Sequence, residues 1–145
     1  MKKFYHGTFD YKEDEILKVG YIDNFSNPED TTVLLNTLLN GYAGTEVRDN
    51  CVFLTDEENL GFSYDIAFII NEDSLNSNYL YVADFGITNK ILYAYNNKNK
   101  KLLNYYIRKY LRSIVPYEKF LKIEKEYRKY HKDIEFLYFN KINIQ

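Results

Sequence analysis

An apolar stripe of helical period stands late in the chain, just ahead of a proline. Leu102, Leu103, Tyr106, Ile107, Tyr110, Leu111 and Ile114 fall on one side of a helix over residues 101–114. Pro116 then breaks or reorients the chain, and residues 117–130 predict a second, basic helix. Apolar runs elsewhere are shorter and more scattered. Residues 2–8 read as a first strand ending at Gly7-Thr8, and residues 11–19 as a short helix stopped by Gly20. Asn27-Pro28-Glu29-Asp30 is a helix start, with a capping side chain, a proline in the first turn and acids against the positive end of the dipole. That helix carries Val33, Leu34, Leu35, Leu38 and Leu39 and stops near Asn40-Gly41, where a loop over 41–45 follows.

Residues 51–55 form a short apolar strand, and Asp56 to Asn59 turns into a helix running through Tyr64. The run 66–70 fits a helix end or a strand equally. Residues 79–85 alternate as a strand that Gly86 ends, and 133–144 form a final strand region. Strands and helices do not alternate regularly, so the expected class is α+β rather than a doubly wound sheet. The 145 residues fit one domain, 1–145.

Charge is spread unevenly. The formal net charge is −2, yet residues 98–133 hold twelve basic and four acidic groups, so that segment is +8 and the remainder −10. Such a segment suits contact with nucleic acid or an acidic partner, or forms the solvated side of amphipathic helices. The lone cysteine, Cys51, cannot make an internal disulfide, which points to a reducing, cytoplasmic setting, and it reads as a small buried hydrophobe. Two histidines and one cysteine are too few for a structural zinc site, so no metal is expected. No stretch approaches the roughly 20 apolar residues that span a bilayer, so no membrane partner is expected.

Three pieces carry chemistry. In Tyr5-His6-Gly7-Thr8, glycine after a strand lets a ligand lie against the backbone, with N–H and C=O open to a carboxamide, and the histidine beside it can bond a ribose hydroxyl. Phe53 and Tyr64 lie eleven residues apart, a strand aromatic and a helix aromatic that can sandwich a flat ring or simply join the core. Glu135 opens the apolar run Phe136-Leu137-Tyr138-Phe139, an unusual place for a charge unless it faces solvent at a strand end. If that strand lies beside the first, Glu135 and His6 face one cleft, where a carboxylate stabilises a positive, oxocarbenium-like sugar. Glu72, Glu118, Glu124 and Glu126 are the other candidate acids, the last three in helical contexts.

In this order the pieces resemble the ADP-ribosyltransferase superfamily, in its His-Tyr-Glu branch of diphtheria toxin-like and poly(ADP-ribose) polymerase-like enzymes. Tyr5-His6-Gly7-Thr8 looks like the first motif, Glu15 to Gly20 like the helix and glycine after it, and Val52 to Tyr64 like the second. Glu135 to Phe139 looks like the strand that begins with the catalytic glutamate. The resemblance implies a split mixed or antiparallel sheet core with flanking helices and NAD⁺ as substrate, with no metal. Glu135 and His6 would be catalytic. Tyr5, His6, Gly7, Thr8, Phe53 and Tyr64 would bind NAD⁺. ADP-ribose would pass to a macromolecular acceptor, protein before nucleic acid, with residues 98–133 as a contact surface. The family's triad tyrosine falls on Phe53, which keeps the ring but loses the hydroxyl.

Three rivals accompany this reading. A non-catalytic NAD⁺- or ADP-ribose-binding module is favoured by Phe53. An RNA 2′-phosphotransferase would want more arginines than the four present. An interaction protein, such as an inhibitor or effector of a mobile element, would have no nucleotide site.

Overall fold

A computed structural model describes residues 2–23, 34–39, 51–61 and 64–144. The described chain mixes helix with antiparallel sheet, the α+β class. It divides into two compact units. The first holds the described residues of Met1–Asn24, Asn50–Tyr81 and Glu135–Gln145; the second holds those of Phe25–Asp49 and Val82–Ile134.

In the first unit, β1 (Lys3–Thr8) pairs antiparallel with β4 (Ile66–Asn71), in register from Lys3↔Asn71 to Thr8↔Ile66. The ambiguous run 66–70 is therefore a strand. Between them in sequence, α1 (Asp10–Val19) starts with Asp10 and Glu13 against its positive end and carries Lys18 in its last turn. Gly20 stops it at φ 83°, and its N–H bonds the Ile16 carbonyl at 2.9 Å. A side chain is costly at that φ, so glycine is the natural stop. The two-residue strand β2 (Tyr21–Ile22) then pairs with β8 (Ile142–Asn143).

The strand β3 (Val52–Leu54) pairs antiparallel with β7 (Ile134–Tyr138) through Val52↔Tyr138, Phe53↔Leu137 and Leu54↔Phe136. The final strand region is thus two strands, β7 and β8. Phe4 and Phe136, both fully buried, meet edge to face at 4.9 Å and centre this unit's core. Cys51, immediately before β3, is buried, as a small apolar residue would be.

The chain passes into the second unit within β5 (Leu80–Asp84). There residues 34–39 are helical (α2), with Leu35 and Leu39 buried. The helix start over 27–30 and the loop over 41–45 lie outside the described residues. The expected helix through Tyr64 is only α3 (Glu58–Gly61), back in the first unit.

Gly86 does not merely end β5; it begins α4 (Gly86–Asn96), whose buried Ile87, Thr88, Ile91 and Ala94 follow helical spacing. Lys98, at φ 55°, turns the chain into α5 (Lys100–Ser113), capped by Asn99, whose Oδ1 accepts from Leu102 N–H at 3.1 Å. Helices α4 and α5 pack against each other.

After β6 (Val115–Pro116), α6 (Tyr117–Tyr130) runs as the sequence predicts, with a kink at Ile123. Its Phe120 is fully buried, and Tyr127 donates its hydroxyl to the Ser113 carbonyl at 2.8 Å. No described helix is long and apolar enough to cross a membrane.

Candidate functional site

All the residues singled out by the three motifs lie in the first unit. The expectation that the last strand sits beside the first needs one correction: β3 comes between them. β1 reaches β3 through a bridge at Tyr5↔Thr55, and β3 pairs with β7. Glu135 lies one residue beyond the Leu54↔Phe136 pair, toward Thr55. Two strand spacings put the backbones of Tyr5 and Glu135 on the order of 10 Å apart.

The bridge at Tyr5 is complete. Tyr5 N–H donates to the Thr55 carbonyl at 2.8 Å, and Thr55 N–H donates back to Tyr5 at 3.0 Å. In an antiparallel ladder the N–H and C=O of residue i point to the same neighbour as those of residue i+2. Gly7 therefore turns its N–H and C=O toward β3, and its ladder partner would be Phe53. That bond is not made among the described residues.

The Phe53 carbonyl instead accepts from the His6 ring, Nδ1 at 2.9 Å. A carbonyl has no hydrogen to give, so Nδ1 carries the proton and neutral Nε2 is left as an acceptor. Burial pushes the His6 pKa below its ordinary value of 6.5; the bond to Phe53 works against this, and Lys12 adds to the lowering. The neutral ring is the favoured form, and it props the ladder open at Gly7.

Two close approaches cover the opening. A Cβ built on Gly7 would overlap the Tyr64 ring and come 2.7 Å from the Gly61 carbonyl oxygen. A Cβ built on Gly61 would overlap the Cβ of Tyr5. The two glycines therefore let α3 and Tyr64 lie directly on β1. Tyr64 follows α3 rather than riding on it, and it is 51% exposed, so it is not a core residue. Phe9 meets it edge-on at 6.0 Å and stacks on Tyr11 at 5.6 Å, while Asp65 Oδ2 accepts from Asp10 N–H at 3.1 Å, fixing the Tyr64 segment to the start of α1.

Opposed residues of an antiparallel pair share a face. Tyr5, Gly7, Phe53, Thr55, Leu137 and Glu135 thus share one face, and Phe4, His6, Leu54 and Phe136 the other. His6 leaves its face only by reaching along the sheet to Phe53. Glu135 is 7% exposed, which removes the solvent-facing alternative. Phe53 is half-buried, whereas Tyr5 and Thr8 are buried and pack within the unit.

The Phe53 carbonyl as anchor for His6 is the part that sequence reasoning missed, because any residue supplies a carbonyl. Among the described residues, no group of three or more His, Cys, Asp or Glu is placed to hold a metal ion. No protein-family model, curated protein or solved structure matches the chain.

Proposed function

We propose that the first unit binds NAD⁺ at the opened ladder and transfers ADP-ribose from it to a macromolecular acceptor, a protein side chain in the first instance. The observation that carries the reading is Gly7, whose backbone donor and acceptor point toward β3 but make no ladder bond among the described residues, because the His6 ring takes the Phe53 carbonyl. One N–H and one C=O on the same residue match a primary carboxamide, which needs one of each. Tyr64, lying on Gly7 and half exposed, offers a ring face to the nicotinamide.

In this reading Nε2 of His6 accepts from a ribose hydroxyl, and Glu135, on the Gly7 face, accepts from the nicotinamide ribose. As the bond between the anomeric carbon and the nicotinamide nitrogen breaks, its electron pair leaves with nicotinamide and the sugar gains positive charge. Glu135 stabilises that charge in a site sheltered from water. The acceptor's nucleophile then bonds to the anomeric carbon and gives up its proton. Holding the carboxamide and ring in place supplies the orientation.

Incubation with NAD⁺ labelled in the adenylate and with cell lysate, for wild type and Glu135→Gln, tests the reading. The expected result is labelled acceptor with wild type and a loss of about 10²–10³-fold in rate with the variant, the scale of removing one stabilising group from a transition state. Transfer unchanged in Glu135→Gln removes the glutamate's role. Phe53 favours a second reading, in which the site binds NAD⁺ or ADP-ribose without turnover, because the ring there has no hydroxyl. Saturable NAD⁺ binding with no nicotinamide release selects it.

A further inference from the structure

The second unit carries a surface unrelated to the His6 site. From Gly86 to Tyr117 the sequence holds seven lysines and arginines and no aspartate or glutamate. That stretch contains the whole of α4 and α5. The neighbouring α6 is different: Glu118, Glu124 and Glu126 alternate with its lysines, and Arg128 pairs with Glu124 at 2.8 Å. A solvated helix face ordinarily mixes signs as α6 does. Neither α4 nor α5 contributes a carboxylate of its own to offset its positive charge.

Aromatic rings interleave with these cations. Lys90 Nζ lies 5.8 Å over the Tyr106 ring, Tyr106 meets Tyr105 edge to face at 5.3 Å, and Lys109 Nζ lies 6.0 Å over Tyr105. The row Lys90–Tyr106–Tyr105–Lys109 therefore crosses from α4 onto α5. Tyr105 is 56% exposed and Tyr93 of α4 is 66% exposed, well beyond what packing the helix pair requires. Lys101 and Arg112 are exposed on α5 as well.

We infer that this α4–α5 face docks single-stranded nucleic acid. Phosphates pair with the lysines and Arg112 and release counterions, and unpaired bases stack on the exposed tyrosine rings. A duplex hides its base faces, and an acidic protein would use the cations but gain little from bare rings set between them. Charge selects a polyanion, and the tyrosines select one with flat faces to offer. This inference stands independently of NAD⁺ binding.

Fluorescence anisotropy of the full chain with a labelled oligodeoxythymidylate of about 15 nucleotides tests it, beside a duplex of equal charge and polyglutamate. Saturable micromolar binding to the single strand is expected at about 50 mM salt, weakening at least about tenfold by about 200 mM. Tyr105→Ala weakens it about fivefold or more, and Tyr105→Phe, which keeps the ring, does not. Lys90→Ala, Lys109→Ala and Arg112→Ala each lower the salt slope by about 1, whereas Lys122→Ala on α6 leaves affinity within about twofold. Circular dichroism confirms that each variant is folded. No binding up to about 100 μM, equal affinity for duplex or polyglutamate, or an unaltered affinity in folded Tyr105→Ala overturns the inference.

Discussion

Each compact unit holds one of the chain's two histidines, and the two rings do opposite work with the same atom. In the second unit, His131 Nδ1 meets Asp84 Oδ2 at 2.7 Å and ties the end of α6 to the end of β5. The other oxygen of Asp84 accepts from Gly86 N–H at 3.0 Å, and Asp84 N–H donates to Ser113 Oγ at 3.0 Å. Every bond there closes a junction. In the first unit, His6 Nδ1 takes the Phe53 carbonyl that Gly7 would have used, and the ladder stays open. Closure in one place and opening in the other follow from the partner: a charged side chain with several donors around it, or a backbone carbonyl belonging to a strand pair. The lesson is that a half-buried histidine's bond says little about a site until its displaced alternative is known.

The sharpest test of that contrast is removal of the hub. Asp84→Ala deletes two charge-assisted hydrogen bonds and is expected to cost about 3 kcal/mol in denaturant unfolding. A cost under about 1 kcal/mol would show that the junction does not depend on the carboxylate. Gly7→Ala comes next, at about 1–3 kcal/mol, since its Cβ must displace Tyr64 and press on the Gly61 carbonyl. Gly86→Ala is milder, below about 1 kcal/mol, because its Cβ would sit 3.2 Å from Asp84 Oδ1, a contact that small shifts relieve.

His6→Ala should cost less than His131→Ala, because Gly7 N–H can then bond the freed Phe53 carbonyl. Hydrogen exchange reads this directly: the Gly7 amide, unprotected in wild type, becomes protected in His6→Ala, while Tyr5 is protected in both. Slow Gly7 exchange in wild type would contradict the open ladder.

The smallest effect is one of pH. The His6 pKa is lowered in the fold, so the unfolded chain binds the proton more readily. Its contribution to stability is complete above the ordinary value of 6.5 and is lost as pH falls from there through the lowered folded value. Unfolding free energy measured from pH 7.5 down to 5 should decline, and His6→Gln should flatten the part due to this ring. An identical slope in both proteins would assign the decline to other groups.

Much of the frame was legible in the residues. Gly20 marked the end of α1 because the left-handed φ needed there costs glycine little and other residues more, and Pro116 marked the gap between α5 and α6 because proline cannot continue a helix. Helix α4 was not read, although Ile87, Ile91 and Ala94 carry its spacing, because Gly86 resembles a strand stop. Its role depends on Asp84 Oδ1 holding its N–H, a contact invisible in sequence. The motif residues 6, 7, 53, 64 and 135 could be picked out by type and order. Their arrangement could not, since it turns on β3 lying between β1 and β7 and on a carbonyl that any residue would have provided.

Titration of ¹⁵N-labelled protein with NAD⁺, following the Gly7 amide, bears most directly on the ladder opening as a ligand site. The amide should shift saturably as it donates to the carboxamide oxygen, with Tyr64 ring signals moving in step and Tyr5, bonded to Thr55, holding still. A Gly7 amide that does not move at millimolar NAD⁺ would contradict the account.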